Sequence, residues 1–139
     1  MGEEIFEAIG KRVAEEPYAK KMGLRLVKVD EGYALVEMKF TEEMENVFGM
    51  AHGGAIFSLI DEAFEVAANS HGTVSVALSM SITYVSSPKG GETLRAEGVE
   101  VSRSNRVATY SIQVKTKGGD LVAICQALVY RKREPLPFL

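Results

Sequence analysis

Between residues 46 and 65 the chain gathers side chains and backbone groups suited to work on a carbonyl. Asn46 and His52 precede a glycine pair, Gly53-Gly54, and the carboxylates Asp61, Glu62 and Glu65 follow. A carboxylate can take a proton from water or attack an electrophilic carbon itself. Two glycines at a helix start leave backbone N–H groups at the positive end of its dipole, with no Cβ to block a substrate. Donors placed there stabilise an oxygen that gains charge in a transition state. The plainer alternative is that the glycines only let the helix start pack closely. Asn46 then forms a turn, and His52 packs against or caps the helix. In either case His52 is expected to be neutral, because a cation is disfavoured at a helix N-terminus.

Helical spacing does not choose among the three carboxylates. At about 100° per residue, Ser58, Glu62, Glu65 and Asn69 form a polar stripe about 60° wide. Asp61 stands about 60° to one side of Ser58, toward Phe57 and Phe64. A carboxylate on such an apolar boundary is partly desolvated, which raises its pKa and basicity. Glu62 and Glu65 better fit a solvated face, and His71 reads as a plain residue at the helix end. Metal chemistry lacks a ligand set: His52 and His71 lie far apart, and Cys125 sits alone in an apolar run, where a buried, inert thiol is expected. No metal or cofactor is expected.

The elements that must position these groups follow from the rest of the chain. Residues 3–15 form a short amphipathic helix, with Ile5, Phe6, Ile9 and Val13 on one face and Pro17 as its end. Two alternating strands span 24–40 around a turn at Asp30-Glu31-Gly32. Residues 55–70 are apolar over most of a helix circumference, and Gly72 suits the left-handed position beyond the helix end. Strands follow at 74–85, 93–102, 107–116 and 121–131, then an irregular tail from Glu134. This order predicts an α+β chain, with a curved antiparallel sheet of about six strands wrapped around one long central helix.

The length of 139 residues fits one domain, 1–139, and 46% hydrophobic residues suffice for its core. A net charge of −3 gives no general attraction for nucleic acid or an anionic membrane. With no signal sequence or membrane span in view, the cytoplasm is the expected location.

The spaced set Asn46, Gly49, His52-Gly53-Gly54 and Asp61 resembles the motif of hotdog-fold acyl-CoA thioesterases of the PaaI-like (phenylacetic acid degradation) group. The predicted element order matches that fold over nearly the whole chain. The resemblance implies hydrolysis of an acyl-CoA, with CoA part of the substrate. It makes Asp61 the base or nucleophile and Gly53 N–H the donor to the thioester carbonyl, with Asn46 and His52 in positioning roles. Gly54, Ser86, Lys89, Arg103, Asn105 and Arg106 are candidates for contact with the substrate, the cations for the CoA phosphates. One departure concerns Ala77, where some relatives carry a serine. Ser79 and Ser81 would share its face in a regular strand.

With those roles, one chain does not suffice. Gly53 and Asp61 are roughly 12 Å apart along a helix rising about 1.5 Å per residue. The Gly53 that faces Asp61 should come from a second chain with its helix antiparallel, which implies a homodimer. Dimers pairing into a homotetramer are expected. Two other functions remain open: a non-catalytic acyl-CoA binding or sensing module, and a hotdog hydratase.

Overall fold

The computed structural model describes residues 2–139; Met1, the first residue of the expected domain, lies outside the described residues. Helix α1 (Gly2–Glu15) turns Ile9 and Val13 inward. Pro17 does more than end it. Glu16 is extended, and Pro17 opens a second helix, α2 (Pro17–Met22). A proline fits the first helical position because that N–H has no partner within the helix anyway.

Strands β1 (Arg25–Asp30) and β2 (Tyr33–Lys39) are joined by Glu31-Gly32, with Gly32 at φ +69°. A 3-10 turn (Glu42–Met44) leads to the long helix α3 (Gly53–Asn69), which starts two residues earlier than its apolar pattern suggests. Four strands complete the chain: β3 (Thr73–Tyr84), β4 (Thr93–Arg103), β5 (Val107–Thr116) and β6 (Leu121–Pro135). The last strand absorbs part of the tail that looked irregular from Glu134.

All neighbours in the sheet are antiparallel, in the order β1-β2-β4-β5-β6-β3. Alternate residues of the central strands point at α3, among them Val36, Met38, Leu94, Ile112 and Val129, all fully buried. From the helix, Leu59, Ile60, Ala63 and Phe64 meet them, and Phe64 packs edge-on against Tyr110 at 5.7 Å. Gly98 lets the helix approach: a Cβ there would stand 3.1 Å from the Ala63 carbonyl oxygen. The hotdog architecture expected from the sequence is the one observed. Among the described residues, no helix is long and apolar enough to cross a membrane.

Candidate active site

The loop before α3 is shaped by Asn46. Its Oδ1 accepts from the N–H groups of Phe48 (2.9 Å) and Met50 (3.1 Å), and its own N–H donates to the Met50 carbonyl at 2.7 Å. Gly49, at φ +72°, makes this tight ring possible. The result pushes Val47 and Phe48 outward, 93% and 80% exposed.

His52 is the N-cap of α3, and its Nδ1 accepts the Gly54 N–H at 2.9 Å. This bond caps the first turn of the helix. It also removes Gly54 from the free donors. The N–H of Gly53 has no acceptor among the described residues.

Both glycines have packing reasons as well. A Cβ on Gly53 would come within 3.3 Å of the Tyr84 ring, and one on Gly54 within 3.1 Å of His52. Tyr84 also donates to the Gly53 carbonyl (3.1 Å).

Asp61 lies two turns further along α3, half-buried, with no hydrogen-bond partner among the described residues. Burial, and then the charge of Glu16, push its carboxyl above the usual range. Its neighbour Glu62 overturns the expectation of a solvated face. It is buried, its carboxyl bonds that of Glu16, and its Oε2 has no other partner among the described residues. Burial first, then Glu16, Glu65 and Asp61, raise it to about 9. Ser58 is buried too, bonded to the Tyr18 hydroxyl at 2.6 Å. Ser58 and Glu62 are therefore covered by the segment around Glu16 and Tyr18, which carried no sequence signal for such contact, whereas Glu65 is exposed as expected of a solvated face.

Cys125 is buried and its thiol is pushed up by that burial, with a smaller rise from Asp61.

The expectation that Ser79 and Ser81 share the face of Ala77 fails. The ladder with β6 shifts register between Ala77 and Ser79, so Leu78 is an extra residue. Ala77 stands opposite buried Val129, whereas Ser79 and Ser81 stand opposite Leu128 and Gln126. Past this bulge both hydroxyls point to the outer face, away from α3. Met80 and Ile82 take the inner face.

The remaining predicted residues divide between the two ends of the helix. Ser86 donates to the Leu121 carbonyl at 2.6 Å. Lys89 is exposed in a turn near the Gly53 end, where Ser87 Oγ accepts from Ala51 N–H at 3.4 Å.

Arg103, Asn105 and Arg106 lie at the other end, roughly 25 Å from Gly53 by the helix rise. There His71 meets Glu100 at 2.7 Å and Arg103 at 2.5 Å, so it is no plain helix-end residue. Tyr110 donates to Glu100 at 2.8 Å. Burial pushes the Glu100 carboxyl up, but bonds from His71 and Tyr110 and the charge of Arg103 hold it below the usual range. Arg103 is thus engaged within the fold. Arg106 donates to the Tyr130 hydroxyl at 3.1 Å, and Asn105 is exposed at the hairpin tip. Arg131, Lys132 and Arg133 add further cations at this end, which the sequence reading passed over.

No group of three His, Cys, Asp or Glu side chains able to hold a metal occurs among the described residues.

A six-stranded antiparallel sheet curved around one long helix is the hotdog architecture of thioesterases. Residues 48–123 match the thioesterase superfamily, and the chain belongs to it as a PaaI-like member. A relative from Archaeoglobus fulgidus is 44% identical over 113 residues, covering 81% of this chain and 73% of its own length. Acyl-coenzyme A thioesterase PaaI of Escherichia coli is 33% identical over 113 residues, 81% of each chain. The structure of the E. coli PaaI protein superposes with a TM-score of 0.86 at 28% identity, covering 94% of this chain and 98% of that one. The smu.793 protein of Streptococcus mutans, solved bound to acetyl CoA, gives 0.77 at 26% identity over 81% and 91%.

Proposed function

We propose that this chain hydrolyses an acyl-CoA thioester to free acid and CoA, at a site built by two copies. Asp61 of one copy works on the carbonyl that Gly53 N–H of the other holds. The observation that carries the reading is the pair of unused groups on α3. Among the described residues Gly53 N–H lacks an acceptor and Asp61 lacks a donor, yet they are roughly 12 Å apart on one helix.

In the reaction, Asp61 takes a proton from water as the water oxygen attacks the carbonyl carbon, or attacks that carbon itself. Negative charge on the carbonyl oxygen is met by Gly53 N–H and the helix dipole. Collapse breaks the C–S bond, and the departing thiolate is protonated. Asn46 holds the loop, and His52 caps the helix without competing for Gly53. Lys89 at one end of α3, and Arg106 with Asn105 at the other, offer surface for the CoA phosphates. Ser86 and Arg103 act through the fold, by the contacts described.

The dimer has a surface to use. β3 pairs only with β6, leaving an edge on which Val76 and Leu78 are 40% and 55% exposed. An apolar open edge is a template for a second strand. Val99, Val101 and Ile124 lie exposed on the sheet face away from α3, and such a face supports pairing of dimers into a tetramer. The reading treats residues 1–139 as one cytoplasmic domain that needs no cofactor.

A relative bound to acetyl CoA also suits a non-catalytic acyl-CoA binding module. The two readings part on one assay: a panel of aryl-acetyl, short- and medium-chain acyl-CoA esters, followed by thiol release, with Asp61→Asn alongside. Turnover by the parent and a loss of at least about 10²-fold in the variant are expected for a positioned base. Binding without turnover in the parent would replace the enzyme by the binding module.

A further inference from the structure

One row of α3, formed by Gly53, Phe57, Asp61 and Glu65, stays uncovered by the rest of the chain. Between Ala55 and Phe64 every residue is buried except Phe57 and Asp61. Phe57 is 40% exposed, and among the described residues its ring pairs with no other aromatic ring. A single exposed apolar side chain is ordinary on any surface; its position here is not. Phe57 stands four residues after Gly53 and four before Asp61. That is roughly 6 Å along the helix axis and about 40° around it from each.

The proposed reaction sets Gly53 of one copy against Asp61 of the other. In two antiparallel helices related by a two-fold axis, residues equally far before and after that axis face one another. Gly53 facing Asp61 from both sides therefore puts the axis at Phe57, the one position of the row that faces its own copy. Both rings then lie between the two reacting centres, each roughly one helical turn away. Across the axis the rings can take the offset stacking that aromatic pairs favour.

The CoA moiety carries charged phosphates and must run out toward water, so the acyl group takes the opposite, drier direction. Phe57 is the only large apolar side chain in the uncovered row. We propose that the Phe57 rings of the two copies form the end wall of the acyl pocket and set the longest acyl group that the enzyme accepts. The inference rests on the two-chain thioesterase reading and adds a specificity residue to it. Phe57 holds no proton and offers the carbonyl no side-chain donor. Changing it alters which esters fit, not how they react.

Two measurements on the full-length protein test this. The first compares kcat/KM for straight-chain esters from butyryl- to dodecanoyl-CoA in the parent, Phe57→Ala and Phe57→Trp. The ratio for decanoyl- over butyryl-CoA should rise at least about tenfold in Phe57→Ala and fall in Phe57→Trp. Either variant decides if the other does not fold. The second treats Phe57→Cys with a short bismaleimide. A cross-linked dimer is expected, and none from the parent, whose one cysteine, Cys125, is buried. An active parent whose chain-length profile is kept by the variants, or variants that slow all esters alike, would overturn the wall alone. Phe57→Cys that stays uncross-linked would overturn its place on the axis. A parent that hydrolyses no ester would overturn the thioesterase reading and the wall with it, even where the cross-link forms.

Discussion

The two ends of α3 use similar residues to opposite effect. At its C-terminal end a histidine, a carboxylate, an arginine and a tyrosine close on one another: His71, Glu100, Arg103 and Tyr110 each have a partner within the chain. In the N-terminal half, the His52 ring bonds only the backbone of Gly54, and among the described residues the Gly53 N–H has no acceptor and Asp61 no donor. Satisfied polar networks hold a fold together; groups left unsatisfied near a surface are free to meet a substrate. In the proposed reaction, the closed cluster around Glu100 serves stability and the open groups of Gly53 and Asp61 serve the chemistry.

Removing Glu100 should give the larger change in folding. Glu100→Gln is expected to lower stability by about 1–3 kcal/mol through loss of charge-assisted bonds, read as a fall in Tm with hydrolysis per folded molecule unchanged. The pH dependence has a definite sign. A carboxyl held below its unfolded value contributes stability above that value and loses it as pH falls through the lowered one. The parent should therefore lose its advantage over Glu100→Gln on acidification below about pH 4.5. A variant as stable as the parent but slow to hydrolyse esters would reverse the division of labour between the ends.

A smaller effect should appear at Asp61. Its carboxyl is raised by burial and then by Glu16, so the acid limb of kcat/KM should lie above an ordinary aspartate. Glu16→Gln removes one of the two causes and should move that limb to lower pH, with little change on the plateau. A limb that stays in place would show that the Glu16 charge does not reach Asp61 during turnover.

Most of the architecture was legible in the sequence because its signals are local. Glu31-Gly32 and Gly72 mark chain reversals, alternating residues mark the strands, and the apolar circumference of α3 demands a sheet around it. The motif from Asn46 to Asp61 lies within one loop and one helix, so its spacing survives in the fold. Long-range or irregular features escaped. Pro17 is read equally well as an end or a beginning, and only the extended Glu16 decides for a new helix. The extra residue Leu78 reverses the faces of Ser79 and Ser81, and nothing in an alternating pattern announces it. Glu62 looks solvated until the segment around Glu16, far away in sequence, is laid over it. Arg103 looks free until His71 and Glu100 arrive from other elements.

The central claim is that Asp61 and Gly53 serve one carbonyl from two chains. Asp61→Asn removes the base, and Gly53→Pro removes only the donor N–H, at a first helical position that accepts proline; Tyr84, which approaches Gly53 at 3.3 Å, must shift slightly. Each variant alone should be nearly inactive. Co-expressed with different tags and purified through both, a mixed dimer has one site with both groups intact and one with neither. The account predicts recovery to about half of the parent activity per mixed dimer. Mixed dimers as inactive as the separate variants, each shown to be folded, would place both groups in one chain and contradict it.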